Sequence, residues 1–215
     1  MQWFFEDRAQ AGLLLAQQLT QYRSRAVAMA IGASGVPVAA EVARLLHIPL
    51  GIVPAKRLAG PDGMTFGALA PGGVAVVDWS RLERVGEETA RSIVRNEQRE
   101  LARLEIVYGE FAHLPVARRT VILIADGMDT GMTARAALRV VRVGHPSQVV
   151  AAAAVASDSA YRDLREEAGQ CICLATNTGV LHSAGEWFHE ARPVTDAEVL
   201  GQLELQARYS RLTVA

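Results

Sequence analysis

The run Val121-Ile122-Leu123-Ile124-Ala125-Asp126-Gly127-Met128-Asp129-Thr130-Gly131-Met132-Thr133 decides how this chain folds. Thr120 to Ile124 are all β-branched or leucine, a short dense apolar segment suited to a buried parallel strand. An acidic residue and a glycine turn follow, and Ala134-Arg135-Ala136-Ala137-Leu138-Arg139-Val140-Val141 reads as a helix. Strand, acidic turn, Thr-Gly-x-Thr and helix together make a phosphate cradle. Backbone N–H groups at a helix N-terminus attract an anion, and threonine hydroxyls add donors without adding bulk. Glycine at 127 and 131 lets the backbone come close to a ligand. The plainer reading is an ordinary strand–turn–helix with threonine as N-cap.

Outward from this run, strands and helices alternate. Apolar positions at 11, 14, 15 and 19 predict an opening helix within Glu6 to Tyr22. Strands are expected at Ala26–Ile31, Leu50–Val53, Val74–Val77, Val149–Val155 and Cys171–Leu174. Helices are expected at Val36–Leu46, with Pro37 in the first turn, then at Gly86–Tyr108, Asp158–Glu167 and Ala197–Tyr209. Gly32-Ala33-Ser34-Gly35 reads as a turn, and Leu58 to Gly73 as a Gly- and Pro-rich loop. The fold class is therefore α/β: a central, mostly parallel sheet flanked by helices, with a small hood or flap from the termini and residues 56–73. In such sheets ligands lie beyond the C-terminal strand ends, where strand order reverses. The Gly32 turn, Lys56 and the Asp126 loop all follow strand ends, so one shared cleft is expected.

The loop resembles the ribose-5-phosphate loop of the type I phosphoribosyltransferases: an apolar strand, acidic residues, a few variable positions and Thr-Gly-x-Thr. Phe5-x-Asp7-Arg8-x-x-Ala11-Gly12, Gly35-Val36-Pro37-Val38-Ala39-Ala40-Glu41-Val42-Ala43, Gly185-x-Trp187-Phe188 and Val194-Thr195-Asp196-Ala197-Glu198-Val199 are similar to one bacterial branch of that family, in the same order. The resemblance covers nearly the whole chain, 1–215, as a single domain.

It implies a Mg2+-dependent enzyme that binds phosphoribosyl pyrophosphate (PRPP) and transfers phosphoribose to a small, nucleobase-like acceptor. It assigns the phosphoribosyl group to Asp126, Gly127, Met128, Asp129, Thr130, Gly131 and Thr133, with Asp126 accepting from ribose hydroxyls. It assigns pyrophosphate to Ala33, Ser34, Gly35 and Lys56. Lys56 and Asp129 are the candidate catalytic residues, and no residue is assigned as a metal ligand, because PRPP carries most magnesium ligands itself. Asp129 keeps three readings: general base, replacement ribose contact, or solvated turn residue. Lys56 and Arg57 keep the alternative of a solvated loop pair, and the Gly32 turn that of a simple turn.

The pattern departs from the family at three points. Ala125 stands where a second acidic residue is usual, the Gly32–Gly35 turn lacks the usual arginine, and Gly60-Pro61-Asp62-Gly63-Met64 lacks the usual Pro-Glu pair. These departures define the alternative, a non-catalytic protein of the same fold that binds a nucleotide or sugar phosphate and regulates a partner.

With 22 Lys plus Arg and 23 Asp plus Glu, no net charge draws the chain toward nucleic acid or anionic lipid. The longest apolar stretch, Val149 to Ala156, is far too short to span a bilayer, and the N-terminal residues lack a signal-peptide core. A cytoplasmic protein is expected. Cys171 and Cys173 sit two apart, on one face of a strand, as small buried residues. Arg91, Arg95, Arg99 and Arg103 recur along one face of the long helix. They form either a contact in a homodimer or a solvated row paired with Glu87, Glu88 and Glu100, and the second is expected. Trp187 and Phe188 either pack in the core or stack on an acceptor ring, and core packing is expected. His47, His113, His145, His182 and His189 show no ligand spacing.

Overall fold

The computed structural model describes residues 4–177 and 184–213. His182 lies outside the described residues. The chain opens with α1 (Arg8–Gln18), capped by the Asp7 side chain, and a 3₁₀ turn at Thr20–Tyr22. Then come β1 (Ala26–Ile31), α2 (Gly32–Leu46), β2 (Leu50–Val53), β3 (Lys56–Ala59), β4 (Thr65–Ala70) and β5 (Val74–Val77). The short α3 (Trp79–Val85) leads into α4 (Glu87–Tyr108), and Gly109–Ala112 forms a second 3₁₀ turn. The chain continues through β6 (Thr120–Met128), α5 (Met132–Val143), β7 (Gln148–Ser157), α6 (Asp158–Ala168) and β8 (Cys171–Asn177). It closes with a 3₁₀ turn at Ala184–Trp187 and α7 (Asp196–Thr213).

Five parallel strands form the main sheet in the order β2-β1-β6-β7-β8. Alternate residues of each strand enter different clusters. Ala26, Ala28, Ala30, Ile122 and Ile124 join the side chains of α1, α2 and α7. Val27, Met29, Val121, Leu123 and Ala125 join those of α5 and α6. Both faces are covered, which is why these strands read as unbroken apolar runs. From β1 the chain steps outward to β2, whereas β6 to β8 build outward on the other side. The strand order therefore reverses between β1 and β6.

The 56–73 segment differs from the expected loop. It holds two strands of a second, antiparallel sheet in the order β3-β4-β5. Gly60–Gly63 and Gly72–Gly73 are its hairpin turns, with positive φ at Gly63, Gly72 and Gly73. Leu58, Phe66 and Leu69 pack against Ala90 and Leu101 of α4, and Ala68, Ala70 and Val76 against Met132 and Ala136 of α5. The hood is thus a folded sheet with its own small core. The Gly32–Gly35 turn is instead the opening of α2, and Pro37 lies in the second turn, where its ring removes the bond to the Ala33 carbonyl.

Candidate functional site

The reversal point is lined by a cleft of about 470 Å³. The end of β1 and start of α2 contribute Ile31, Gly32, Ala33 and Ser34, and the end of β6 through α5 contributes Ala125 to Ala134. Arg8, Ala55, Arg57, Thr65 and Ala191 complete the lining. The sequence-predicted residues Asp126, Gly127, Met128, Asp129, Thr130, Gly131 and Thr133 are all brought together here with Ala33 and Ser34.

Gly131 takes the left-handed conformation (φ +69°) as N-cap of α5, and a Cβ on it would lie 3.2 Å from the Ala160 Cβ. Only glycine fits both constraints. Thr130 Oγ1 accepts from the Met132 amide (3.4 Å), so the loop is turned in on the helix start. Behind it, the Ser157 hydroxyl donates to the Asp129 carbonyl (2.5 Å) and accepts from the Ala160 amide (3.0 Å). Ser157 caps α6 and holds the loop from below. The sequence reading assigned it no role, although a serine directly before a helix is a recognisable cap.

Asp126 continues the strand alternation onto the α1/α2 face, and its carboxylate is heavily engaged. Oδ1 accepts from the Ser34 hydroxyl (3.0 Å) and the Gly127 amide (3.0 Å), and Oδ2 from Arg8 Nε (2.9 Å). Ser34 thus links the two loops through its side chain. Gly35 does not line the cleft; it presses against β6, where a Cβ would meet the Ile124 carbonyl oxygen at 2.8 Å.

Lys56 is not brought to the cleft. Its ammonium forms an ion pair with Glu97 of α4 (3.2 Å), an acidic residue set between the apolar Val94 and Leu101. Successive strand residues point to opposite faces, and the neighbouring Arg57 lines the cleft instead. Trp187 and Phe188 do not line it either. Phe188 is buried against Phe5 (ring centroids 5.5 Å apart), and Trp187 stacks on Phe4 (4.5 Å). Among the described residues the cleft wall has no aromatic side chain.

Asp129 and the threonine hydroxyls in the cleft wall are oxygen ligands of the kind a hard cation such as magnesium takes, whereas the Asp126 carboxylate is engaged by Arg8, Ser34 and Gly127. Among the described residues no three His, Cys, Asp or Glu side chains gather into a metal-binding group. A magnesium ion here would take most of its ligands from a bound polyphosphate. No described helix is long and apolar enough to cross a membrane. Cys171 and Cys173 are free thiols on one face of β8, their sulfurs 3.8 Å apart.

Fold and cleft define an α/β protein with an anion-suited, strand-end site at a topological switch point. No family model matches the chain. A Mycobacterium tuberculosis protein with the provisional name phosphoribosyl transferase is 30% identical over 207 residues, 93% of this chain and 46% of its own length. The chain thus spans about half the length of the curated relatives it matches. The crystal structure of TT1426 from Thermus thermophilus shares 30% identity over 93% of this chain and 97% of its own, with a TM-score of 0.72. A hypothetical protein from Neisseria gonorrhoeae, crystallised with bound ppGpp, has the same fold at 15% identity over 98% of this chain and 96% of its own (TM-score 0.52). Over nearly its whole length the chain is thus similar to a protein that bears the name phosphoribosyl transferase, and it shares the fold of TT1426.

Proposed function

We propose that residues 1–215 act as one Mg-dependent phosphoribosyltransferase unit that binds PRPP and transfers phosphoribose to a nucleobase-like acceptor. The observation that carries this reading is the loop 126–133 at the start of α5, sharing a cleft with the first turn of α2. Amides of residues 127–133 and the Thr130 and Thr133 hydroxyls would hold the 5-phosphate. Asp126 would accept a ribose hydroxyl. Ala33 and Ser34 would meet pyrophosphate, and the cationic role expected of Lys56 passes to Arg57, the basic residue that faces the cleft.

In the reaction the bond from C1 to pyrophosphate breaks, and pyrophosphate leaves with the electron pair. An acceptor nitrogen then closes on the oxocarbenium-like C1 and loses its proton, for which Asp129 is the candidate base. Magnesium, when bound with the polyphosphate, would supply neutralisation of the departing charge, and the chain's own work is mainly positioning.

A specific observation favours a second reading, a non-catalytic nucleotide or sugar-phosphate sensor. Asp126 is held by three protein donors and Ala125 adds no carboxylate beside it. The neisserial neighbour's bound ppGpp is a ligand of the class such a sensor would take. Titration calorimetry with Mg-PRPP, paired with a pyrophosphate-release assay over a panel of bases, tests both. Binding with release supports the enzyme. Binding without release on any base moves the reading to the sensor, and no binding removes the phosphoribosyl site.

A further inference from the structure

Arg8 follows the Asp7 that caps α1 and stands in the family-like motif Phe5-x-Asp7-Arg8, where the sequence alone assigns it no role. In the fold its side chain is 12% exposed and faces an Asp126 side chain that is 10% exposed. Nε donates to Asp126 Oδ2 (2.9 Å), Nη1 donates to the Arg192 carbonyl (3.0 Å), and the guanidinium carbon lies 5.5 Å from the Phe188 ring centroid. The helix that carries Arg8 is held close against α2 by Gly12, where a Cβ would lie 2.6 Å from the Val38 carbonyl oxygen. The same arginine therefore touches the acidic end of β6 and the ribbon in which the two terminal segments meet. That ribbon is built from the Phe5 and Glu6 carbonyls, which accept from the His189 and Glu190 amides (2.9 Å each).

A carboxylate offers about four acceptor positions, two on each oxygen. On Asp126, Oδ1 already takes two donors and Oδ2 takes one. A single position is left. We infer that Arg8 is a positioning and specificity-determining residue: it holds Asp126 so that one sugar hydroxyl, not an adjacent pair, finds an acceptor, and it couples that acceptor to the terminal ribbon.

The inference rests on the sugar-phosphate reading of the cleft. It requires a guanidinium in particular, since a lysine ammonium is a point donor that cannot serve Asp126 and the Arg192 carbonyl in one planar fork. Ligand on Asp126 and order in the ribbon should then rise together.

The probes are inorganic phosphate, ribose 5-phosphate and its 2-deoxy and 3-deoxy forms, titrated into the full chain by calorimetry with amide shifts of Gly127 and Gly131 followed by NMR. In the wild-type protein one deoxy sugar should bind about tenfold more weakly than ribose 5-phosphate and the other within about twofold. Comparable losses for both would mean that Asp126 reads the hydroxyl pair, and the inference fails. In Arg8→Lys and Arg8→Gln, ribose 5-phosphate should weaken by about tenfold or more, and inorganic phosphate by no more than about threefold. Full recovery in Arg8→Lys would reduce Arg8 to a generic charge and overturn the inference. Ribose 5-phosphate should also slow hydrogen exchange at His189 and Glu190 in the wild type and not in the variants; equal protection in both overturns the coupling. If Arg8→Gln fails to fold, the deoxy pair and Arg8→Lys still decide. Absent shifts at Gly127 and Gly131 with every phosphate would remove the sugar-phosphate reading itself, and the inference with it.

Discussion

Ala125 and Asp126 are neighbours with opposite surroundings, because strand residues alternate between faces. Ala125 belongs to the apolar cluster of α5 and α6 yet lines the cleft, whereas Asp126 turns toward Ser34 and Arg8. Ala125→Asp should therefore have two effects of opposite value. A carboxylate at the cleft wall should tighten Mg-PRPP by roughly tenfold, as one added charge-assisted bond does. Its partial burial beside Met128 and Ala160 should cost about 1–3 kcal/mol of stability. Calorimetry and urea unfolding read the two separately, and unchanged affinity would place the ribose away from residue 125. Gly131→Ala makes the complementary case. A Cβ there meets both a positive φ and the Ala160 side chain, so unfolding free energy should fall by about 1–3 kcal/mol and inorganic phosphate binding should weaken with it.

Elements whose sequence pattern is set by burial on both faces were legible from residues alone. The expected spans of β1, β2 and β5 agree with the fold to the residue, and β6, β7 and β8 were found with their C-terminal ends cut short. In β6 that end, Asp126 to Met128, lines the cleft and brings in a carboxylate and a glycine, so the apolar signal fades while the ladder continues. The hood reads as a loop in the sequence because its hairpin turns concentrate glycine and proline, which hides the short strand Thr65–Ala70 between them. Lys56 and Arg57 show the limit for site residues: adjacency in sequence left open which one faces the cleft, and only the pairing of Lys56 with Glu97 decides it. Within the single chain the arginines of the α4 row are either paired or exposed. Arg91 pairs with Glu87, Arg103 with Glu100 and Asp196, and Arg95 and Arg99 are exposed. Replacing Arg95 and Arg99 together by Glu should leave the sedimentation mass unchanged and shift stability by no more than about 1 kcal/mol. A drop in mass would instead reveal a subunit contact through this face.

Across the whole molecule, residues 187–199 bind the N-terminal segment, the cleft and α4 into one structure. Phe188 packs on Phe5, the Arg192 carbonyl takes Arg8, and Asp196 accepts from Tyr108 Oη (3.0 Å) and pairs with Arg103 (2.7 Å). Burial and the nearby Asp196 push the Tyr108 phenol well above its ordinary range, so the phenol stays protonated as the donor to Asp196. The motif Thr195-Asp196-Ala197-Glu198 is a capping box: Glu198 Oε2 accepts from the Thr195 amide and hydroxyl (2.9 Å each), and the Glu198 amide donates to Thr195 Oγ1 (3.3 Å). The motif that resembles the family branch thus starts α7. Glu198 also pairs with Arg192, and that pair together with the Thr195 donors lowers the carboxyl pKa from 4.5 to about 2. A folded-state pKa below the unfolded one stabilises above the unfolded value and is lost as pH falls through the folded value. The Glu198 contribution should therefore be complete above about pH 4.5 and disappear toward about pH 2. Asp78 and Glu100 are also lowered and weaken in acid, but they remain in a Glu198→Gln protein and cancel in the comparison. Melting temperatures of wild type and Glu198→Gln should differ at neutral pH and converge as pH falls through that window. Coincident curves would show that the box and its arginine do not stabilise α7, whose hold on the chain would then rest on the bonds of Asp196 to Tyr108 and Arg103, the packing of Val199 and Leu203, and the bond of Gln206 to the Ile48 carbonyl.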